Sequence, residues 1–327
     1  MKRFRTVSVF DTSISTLNVG DGIIMDAVTE VIDELFQLHQ QIRIPSHEKI
    51  GITSLSILRR SEARIVGGSN ILSSYMNKYP QWKLSPFDAW FMKNTVTLLG
   101  VGWRNYQGNT NLYTRTLLRR ILKSDGLHSV RDSYTENKLR EIGISNVVNT
   151  GCPTMWNLTA RHCETIPSKK AKRVIFTLTD YNRNVEHDSA MIETLKAKYG
   201  SLLFWVQGSR DLDYFKSFGN AVRDVSIVAP NIKQFNSVLD SGDIDYVGTR
   251  LHAGIRALQR GRRSIIIGID NRAEEKRKDF NLPVLERPRI KDLAAMIESD
   301  FRTEITLPLA NIRKWRQQFV YEDSQDN

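Results

Sequence analysis

The chain has 327 residues, 40% of them hydrophobic, which is enough for two cores and roughly two domains. Its 47 lysines and arginines against 36 aspartates and glutamates leave a net charge of +11, favouring an acidic glycan, a phosphorylated metabolite, an anionic membrane face or nucleic acid as partner. Scattered cations without a recognised binding motif argue against nucleic acid, two cysteines exclude a disulfide framework or a zinc site, and no apolar run approaches the ~18 residues of a bilayer span.

The apolar run Val7-Ser8-Val9-Phe10 stops at Asp11, too short for a secretion signal, so a reducing, cytoplasmic location is expected. Residues 6–10 read as a first strand. A polar, glycine-bearing loop at 11–22 then precedes a helix whose apolar face is Ile24, Ala27, Val28, Val31, Leu35 and Leu38. Gly20 and Gly22 let backbone approach a ligand, and Asp21 can accept hydrogen bonds from substrate hydroxyls; an ordinary capped turn is the plainer local reading. Strands at 63–66 and 95–101 run into Gly67-Gly68-Ser69-Asn70 and Gly102-Trp103-Arg104-Asn105, the kind of strand end where ligands collect in an open α/β sheet. Between them the aromatics Tyr75, Tyr79, Trp82, Phe87, Trp90 and Phe91 are candidates for the wall of an acceptor site or for core. Leu112, Leu117, Leu118, Ile121 and Leu122 mark a further helix. A strand at 127–130 ends at Arg131-Asp132, Ser133 is the expected cap of a helix stopping at Gly143, and a strand at 147–149 closes in Thr150-Gly151-Cys152-Pro153. Cys152, with no base beside it, reads as a buried small side chain.

Pro167-Ser168-Lys169-Lys170 is the best candidate interdomain linker. Beyond it a second α/β half is expected, with strands near 174–178, 202–206, 225–228, 244–247 and 264–269, and with Gln207-Gly208-Ser209 as a ligand-facing turn. The mixed-sign run Arg272-Ala273-Glu274-Glu275-Lys276-Arg277-Lys278 reads as solvated surface, and the basic tract Arg260-Gly261-Arg262-Arg263 as a possible peripheral membrane contact. Leu309, Ile312, Trp315, Arg316 and Phe319 predict a last helix that packs across a domain boundary. The expected division is 1–165, 166–305 and a C-terminal helix and tail at 306–327; oligomeric state is left open.

The richest stretch runs from Asp245 to Gly261. Ile244, Tyr246 and Val247 form a short buried strand, Leu251, Ile255 and Leu258 recur at helical spacing, and Gly261 stops the helix; the continuous run at 264–269 then completes a β-α-β unit with a parallel strand covered on both faces. Arg250 and His252 fall on the strand-to-helix turn, where free backbone N–H groups and the helix dipole favour an anion. Arg250 supplies a planar fork of donors and His252 a group able to exchange protons near neutral pH. The helix N-terminus favours the neutral ring, so His252 is expected to become an acid only when a multiply charged ligand is seated.

These segments resemble the polysaccharide pyruvyl transferase family. The matching residues are Asn18-Val19-Gly20-Asp21, Ile65-Val66-Gly67-Gly68-Ser69, Gly100-Val101-Gly102, Val130-Arg131-Asp132-Ser133 with Leu139 and Gly143, and Gly248-Thr249-Arg250-Leu251-His252-Ala253, in order over about residues 5–285. The resemblance implies an α/β, GT-B-like fold of two Rossmann-like domains with a cleft between them. It implies transfer of a pyruvyl group from phosphoenolpyruvate to a sugar of a polysaccharide or glycan precursor, giving a cyclic ketal and phosphate with no metal or other cofactor required; whether the acceptor is lipid-linked is left open. In that reaction His252 is the expected proton donor and Asp21 a weaker candidate for the acceptor hydroxyl; Arg131 and Arg250 would clamp carboxylate and phosphate, and Asn18, Gly20, Gly68, Ser69 and Leu251 would line the substrate sites. The chain departs from relatives at Gly151-Cys152-Pro153-Thr154 and at Ile269-Asp270-Asn271-Arg272. Two alternatives stand beside this reading: a nucleotide-sugar-dependent glycosyltransferase and a noncatalytic glycan- or nucleotide-binding protein.

Overall fold

Parallel strands joined by helical crossovers dominate the structure, a computed structural model that describes residues 5–320. The chain divides into two compact units, one comprising residues 1–16, 24–153 and 308–327 and the other 17–23 and 154–307.

In the first unit, β1 (Arg5–Asp11), α1 (Gly20–Leu35, of which residues 24–35 belong here), β2 (His39–Pro45), α2 (Ile52–Arg60), β3 (Ala63–Gly67), α3 (Pro86–Phe91) and β4 (Val96–Leu99) build a sheet of order β2-β1-β3-β4, all parallel. After α4 (Leu112–Ile121), the strands β5 (His128–Val130) and β6 (Val147–Asn149), on either side of α5 (Ser133–Glu141), form a parallel pair that a Val101–Val130 bridge continues from the main sheet. The strand β2 was not expected, because its sequence His39-Gln40-Gln41-Ile42-Arg43-Ile44-Pro45 carries only two apolar side chains other than proline. It is an edge strand, and an edge strand half in water needs no continuous apolar run. The helix before it ends at Leu35. Leu38, placed on that helix's apolar face by periodicity, is exposed, and Phe36 fills the core instead.

The second unit holds α6 (Ala160–Cys163), β7 (Arg173–Thr177), α7 (Val185–Lys198), β8 (Ser201–Trp205), α8 (Asp211–Lys216), β9 (Ser226–Val228), α9 (Ile232–Asp240), β10 (Ile244–Gly248), α10 (Leu251–Gln259), β11 (Ser264–Gly268), α11 (Asn271–Phe280), β12 (Val284–Glu286) and α12 (Leu293–Glu298). The six parallel strands lie in the order β12-β11-β10-β7-β8-β9. Alternate residues feed two cores, as a period of two requires when both faces are covered. Ile175, Tyr246 and Ile266 point into one, and Phe176, Val247, Ile265 and Ile267 into the other. Buried inside the second core's flank, Asp245 accepts from Tyr199 Oη at 2.8 Å and from Arg263 Nη1 at 3.1 Å.

Four expectations are corrected here. The division at 165/166 lies instead at 153/154, and the supposed linker belongs to the second unit: Ile166 is buried in its core, Ser168 O accepts from Phe301 N, and Ala171 N donates to Asp245. The last helix, α13 (Leu309–Gln317), returns to the first unit, where Trp315 Nε1 donates to Leu98 O at 3.1 Å and Asn311 Nδ2 to Asn149 O at 2.8 Å. The charged run at 272–278 is not all surface, since α11 packs on β11 and buries Ala273, Glu275 and Lys276. Nor is the tract at 260–263 a loose basic patch: Arg263 is buried, pairing with Asp245 and donating to the last carbonyls of α12, and Arg260 pairs with Asp240.

His128, wholly buried on β5, accepts from Leu98 N through Nδ1 and donates to Lys123 O through Nε2, which fixes a neutral ring. Burial lowers its pKa from 6.5 to about 4. The unfolded chain therefore binds the extra proton between those two values, and the stability present above about pH 6.5 is lost as pH falls toward 4. Lowering the pH from 7 to 5 should cost the first unit on the order of 2 kcal/mol. Urea unfolding at the two pH values, with His128→Leu flattening the difference, checks it.

Candidate active site

Residue Arg250 sits at the C-terminal edge of the second unit's sheet, between β10 and α10, as its N-cap. The turn is pinned through the main chain: Arg250 N donates to Thr177 Oγ1 at 3.2 Å, and its carbonyl accepts from Tyr246 Oη at 2.8 Å. No side chain caps α10, so its first N–H groups and the positive end of its dipole face this edge. His252 lies in that first turn, 8% exposed.

The guanidinium of Arg250 is 4% exposed and held by carboxylates the sequence did not single out. Asp211, itself buried at the start of α8, takes it bidentately, through Nε at 3.0 Å and through Nη2. Asp180 makes one contact at 3.2 Å and remains 18% exposed. Arg250 Nε also donates to Leu178 O, and the Tyr181 ring lies 5.0 Å beneath the guanidinium. Burial pushes the Asp211 carboxyl up from its ordinary value, against the opposing pull of Arg250 and of the Gly208 and Asp180 N–H groups. Only glycine fits at 208, because a Cβ there would collide with Arg250 Nη2.

The segment 17–23 is built into this same unit and edge. Val19 N donates to Gln207 O, Ser209 N to Leu17 O, and Gln207 Nε2 to Asn18 Oδ1 at 2.8 Å. Asn18 Oδ1 also accepts from Gly20 N, so α1 starts at Gly20, four residues before its apolar face begins. Asp21 is therefore not in a loop ahead of the helix but in its first turn, hydrogen-bonded to Asn18 Nδ2 at 3.2 Å. The glycines at 20 and 22 hid that start, since glycine is a poor helix former. Asn18, Gly20 and Asp21, expected on an acceptor-binding first domain, thus share a compact unit with Arg250 and His252. Leu251 turns into the hydrophobic core.

The remaining expected residues belong to the first unit. Arg131 directly follows β5, 2% exposed, with Nε on Asp132 at 2.9 Å and Nη2 on Trp103 O at 2.8 Å. Asp132, not Ser133, is the N-cap of α5, and accepts from Thr135 N through its other oxygen. Here too a glycine makes room: a Cβ at Gly102 would collide with the Arg131 guanidinium. Gly102 N donates to Ser69 O at 2.8 Å, joining Arg131 to the Gly68-Ser69 turn, whose φ angles are +57° and +61°. Gly68 itself is covered by Ile24.

A family model for polysaccharide pyruvyl transferases matches residues 18–271. The chain belongs to that family. Its fold is the two-unit, Rossmann-like GT-B type, shared with MnaA of S. aureus solved with UDP (TM-score 0.51, 9% identity, covering 97% of this chain and 98% of that one). It is shared equally with the UDP-GlcNAc 2-epimerase of Methanocaldococcus jannaschii solved with UDP-GlcNAc and UDP (TM-score 0.50, 12% identity, covering 96% and 99%). At such identities the likeness concerns the fold alone. No curated protein matches. Among the described residues, no group of three or more His, Cys, Asp or Glu is placed to hold a metal ion, and no helix is long and apolar enough to cross a membrane.

Removing Asp211 should be costly, because it leaves a buried guanidinium short of its main counter-charge: Asp211→Ala is expected to destabilise the second unit by about 3 kcal/mol. Gly208→Ala pushes Arg250 off the same carboxylate without changing charge, and should lower both the melting temperature and, by about 10²-fold, the turnover. Thermal unfolding and turnover of the two variants, side by side, measure both.

Proposed function

We propose that this member of the family transfers a pyruvyl group from phosphoenolpyruvate to two hydroxyls of a glycan sugar, forming a cyclic ketal and releasing phosphate. The observation that carries the reading is the grouping of Arg250, His252, Asn18 and Asp21 on one sheet edge of the second unit, at an uncapped helix N-terminus. Such an edge suits a small substrate bearing both a carboxylate and a phosphate.

In this reading His252 gives its proton to the methylene carbon of phosphoenolpyruvate, leaving positive charge on the adjacent carbon. An acceptor hydroxyl bonds to that carbon and loses its proton, with Asp21 the candidate to receive it. The C–O bond to phosphate then breaks, its electron pair leaving with the phosphate, and the second hydroxyl closes the ring and sheds its proton. Arg250 has its charge already balanced, and the donor takes it over from one of its carboxylates. Asp180 is the one that yields, having a single contact and partial exposure, while Asp211 keeps the guanidinium in place. Arg131, Gly68 and Ser69 are assigned substrate binding at the first unit's own edge.

The test is to incubate the protein with phosphoenolpyruvate and a panel of glycan acceptors, following phosphate release and ketal formation. Folded His252→Ala should lose about 10²–10⁴-fold in turnover. Asp180→Asn, by removing a competing charge, should lower the KM for phosphoenolpyruvate about three- to tenfold. Because the solved proteins of this fold hold UDP or UDP-GlcNAc, UDP-sugars run in parallel; sugar transfer without ketal would replace this reading by a glycosyltransferase, and binding without either reaction by a noncatalytic glycan-binding protein.

A further inference from the structure

Helices α2, α3 and α4 of the first unit carry a surface that plays no part in the proposed reaction. Large apolar side chains project from it: Phe87 is 60% exposed, Trp90 62% and Leu112 76%. Trp90 and Leu112, with Tyr113 and Leu117, line a groove of about 620 Å³ between α3 and α4, and Arg120 closes it. Phe91 stacks edge-on against both Phe87 and Trp90, and Arg59 from α2 lies over the Phe91 ring at 5.7 Å, which joins the three helices into one face.

The charge on this face has one sign. Residues 52–60, 86–93 and 112–121 contain six cations (Arg59, Arg60, Lys93, Arg115, Arg119 and Arg120) against one carboxylate, Asp88. That carboxylate is buried, spent in the capping box with Ser85 at the start of α3. All six cations but Arg120 are exposed. Protruding tryptophan, phenylalanine and leucine ringed by arginine and lysine match the headgroup region of a bilayer, where aromatic rings enter the acyl boundary and cations meet lipid phosphate. Two copies meeting through this face would set cation against cation, so self-association is disfavoured.

We propose that the α2–α3–α4 face docks the protein peripherally on an anionic lipid bilayer, with Trp90 and Leu112 inserted and the surrounding arginines on the headgroups. The inference is independent of the reaction proposed above. It takes the place of the tract at 260–263, whose Arg260 and Arg263 are committed to Asp240 and Asp245.

Of the six tryptophans, Trp90 alone is exposed; Trp82, Trp103, Trp156, Trp205 and Trp315 are buried. Intrinsic fluorescence therefore reports on this face. The full-length protein is mixed with vesicles of phosphatidylcholine, alone or with an equal part of phosphatidylglycerol. It should co-sediment with the mixed vesicles only, be released by high salt, and show a blue shift that Trp90→Phe abolishes while binding persists. Trp90→Ser with Leu112→Ser, and separately Arg115→Glu with Arg119→Glu, should each weaken binding at least about tenfold. All four positions are exposed, so unchanged circular dichroism is expected alongside. Binding as tight as that of the unaltered protein by either double variant would overturn the proposal, as would failure to bind mixed vesicles. So would a dimer in sedimentation equilibrium that Trp90→Ser with Leu112→Ser dissolves, or binding to poly-glutamate as tight as to vesicles and indifferent to that variant.

Discussion

A guanidinium that is 4% exposed must have its charge answered where it sits, and Arg250 is answered twice, by Asp211 and Asp180. Most of the arrangement at this edge of the second unit follows from that requirement. Asp211 has to open α8 within reach of the β10–α10 turn. Gly208 has to lack a side chain so that the guanidinium can lie against the backbone, and Gln207, next to it, becomes the anchor for Asn18. The position of α10, and with it of His252, is then set by main-chain bonds to Thr177 and Tyr246 from two neighbouring strands.

The first unit repeats the device with different residues. Arg131 is buried at the end of a strand, paired with an adjacent aspartate that also caps the next helix, and laid over a glycine with no room for a Cβ. In both units burial raises the strength of the ion pair and also the cost of breaking it, so these arginines are fixed points rather than free arms. Each guanidinium meets its partners through Nε and Nη2. Of the carboxylates on Arg250, Asp180 is the one that keeps partial exposure.

Family membership, the GT-B-type fold and the arrangement of the edge constrain different things. The family model spans the segments that carry Asn18, Arg131, Arg250 and His252, and so speaks to the class of group transferred. The fold relatives, solved with UDP or UDP-GlcNAc, show how general the architecture is and leave the donor to the site residues. The basic, aromatic face on α2, α3 and α4 answers a further question, where the chain works, by chemistry that neither the family nor the fold addresses.

Local pattern was enough for much of this chain. The apolar strands β7, β10 and β11, the helix α10 with its Gly261 stop, and the Arg-Leu-His turn between them are all legible in sequence, because buried parallel strands and an amphipathic helix each leave a strong periodic mark over a few residues. What sequence could not supply was the company each residue keeps. The edge strand β2 and the glycine-rich start of α1 depend on partners distant in the chain. The Pro167-Ser168-Lys169-Lys170 stretch reads as a linker until the core beside it is seen. Asp211 and Asp180 lie 39 and 70 residues from Arg250, and the placement of Asn18 beside Gln207 spans 189 positions. No periodicity encodes such distances, so the charge balance of the site was decided by tertiary packing alone.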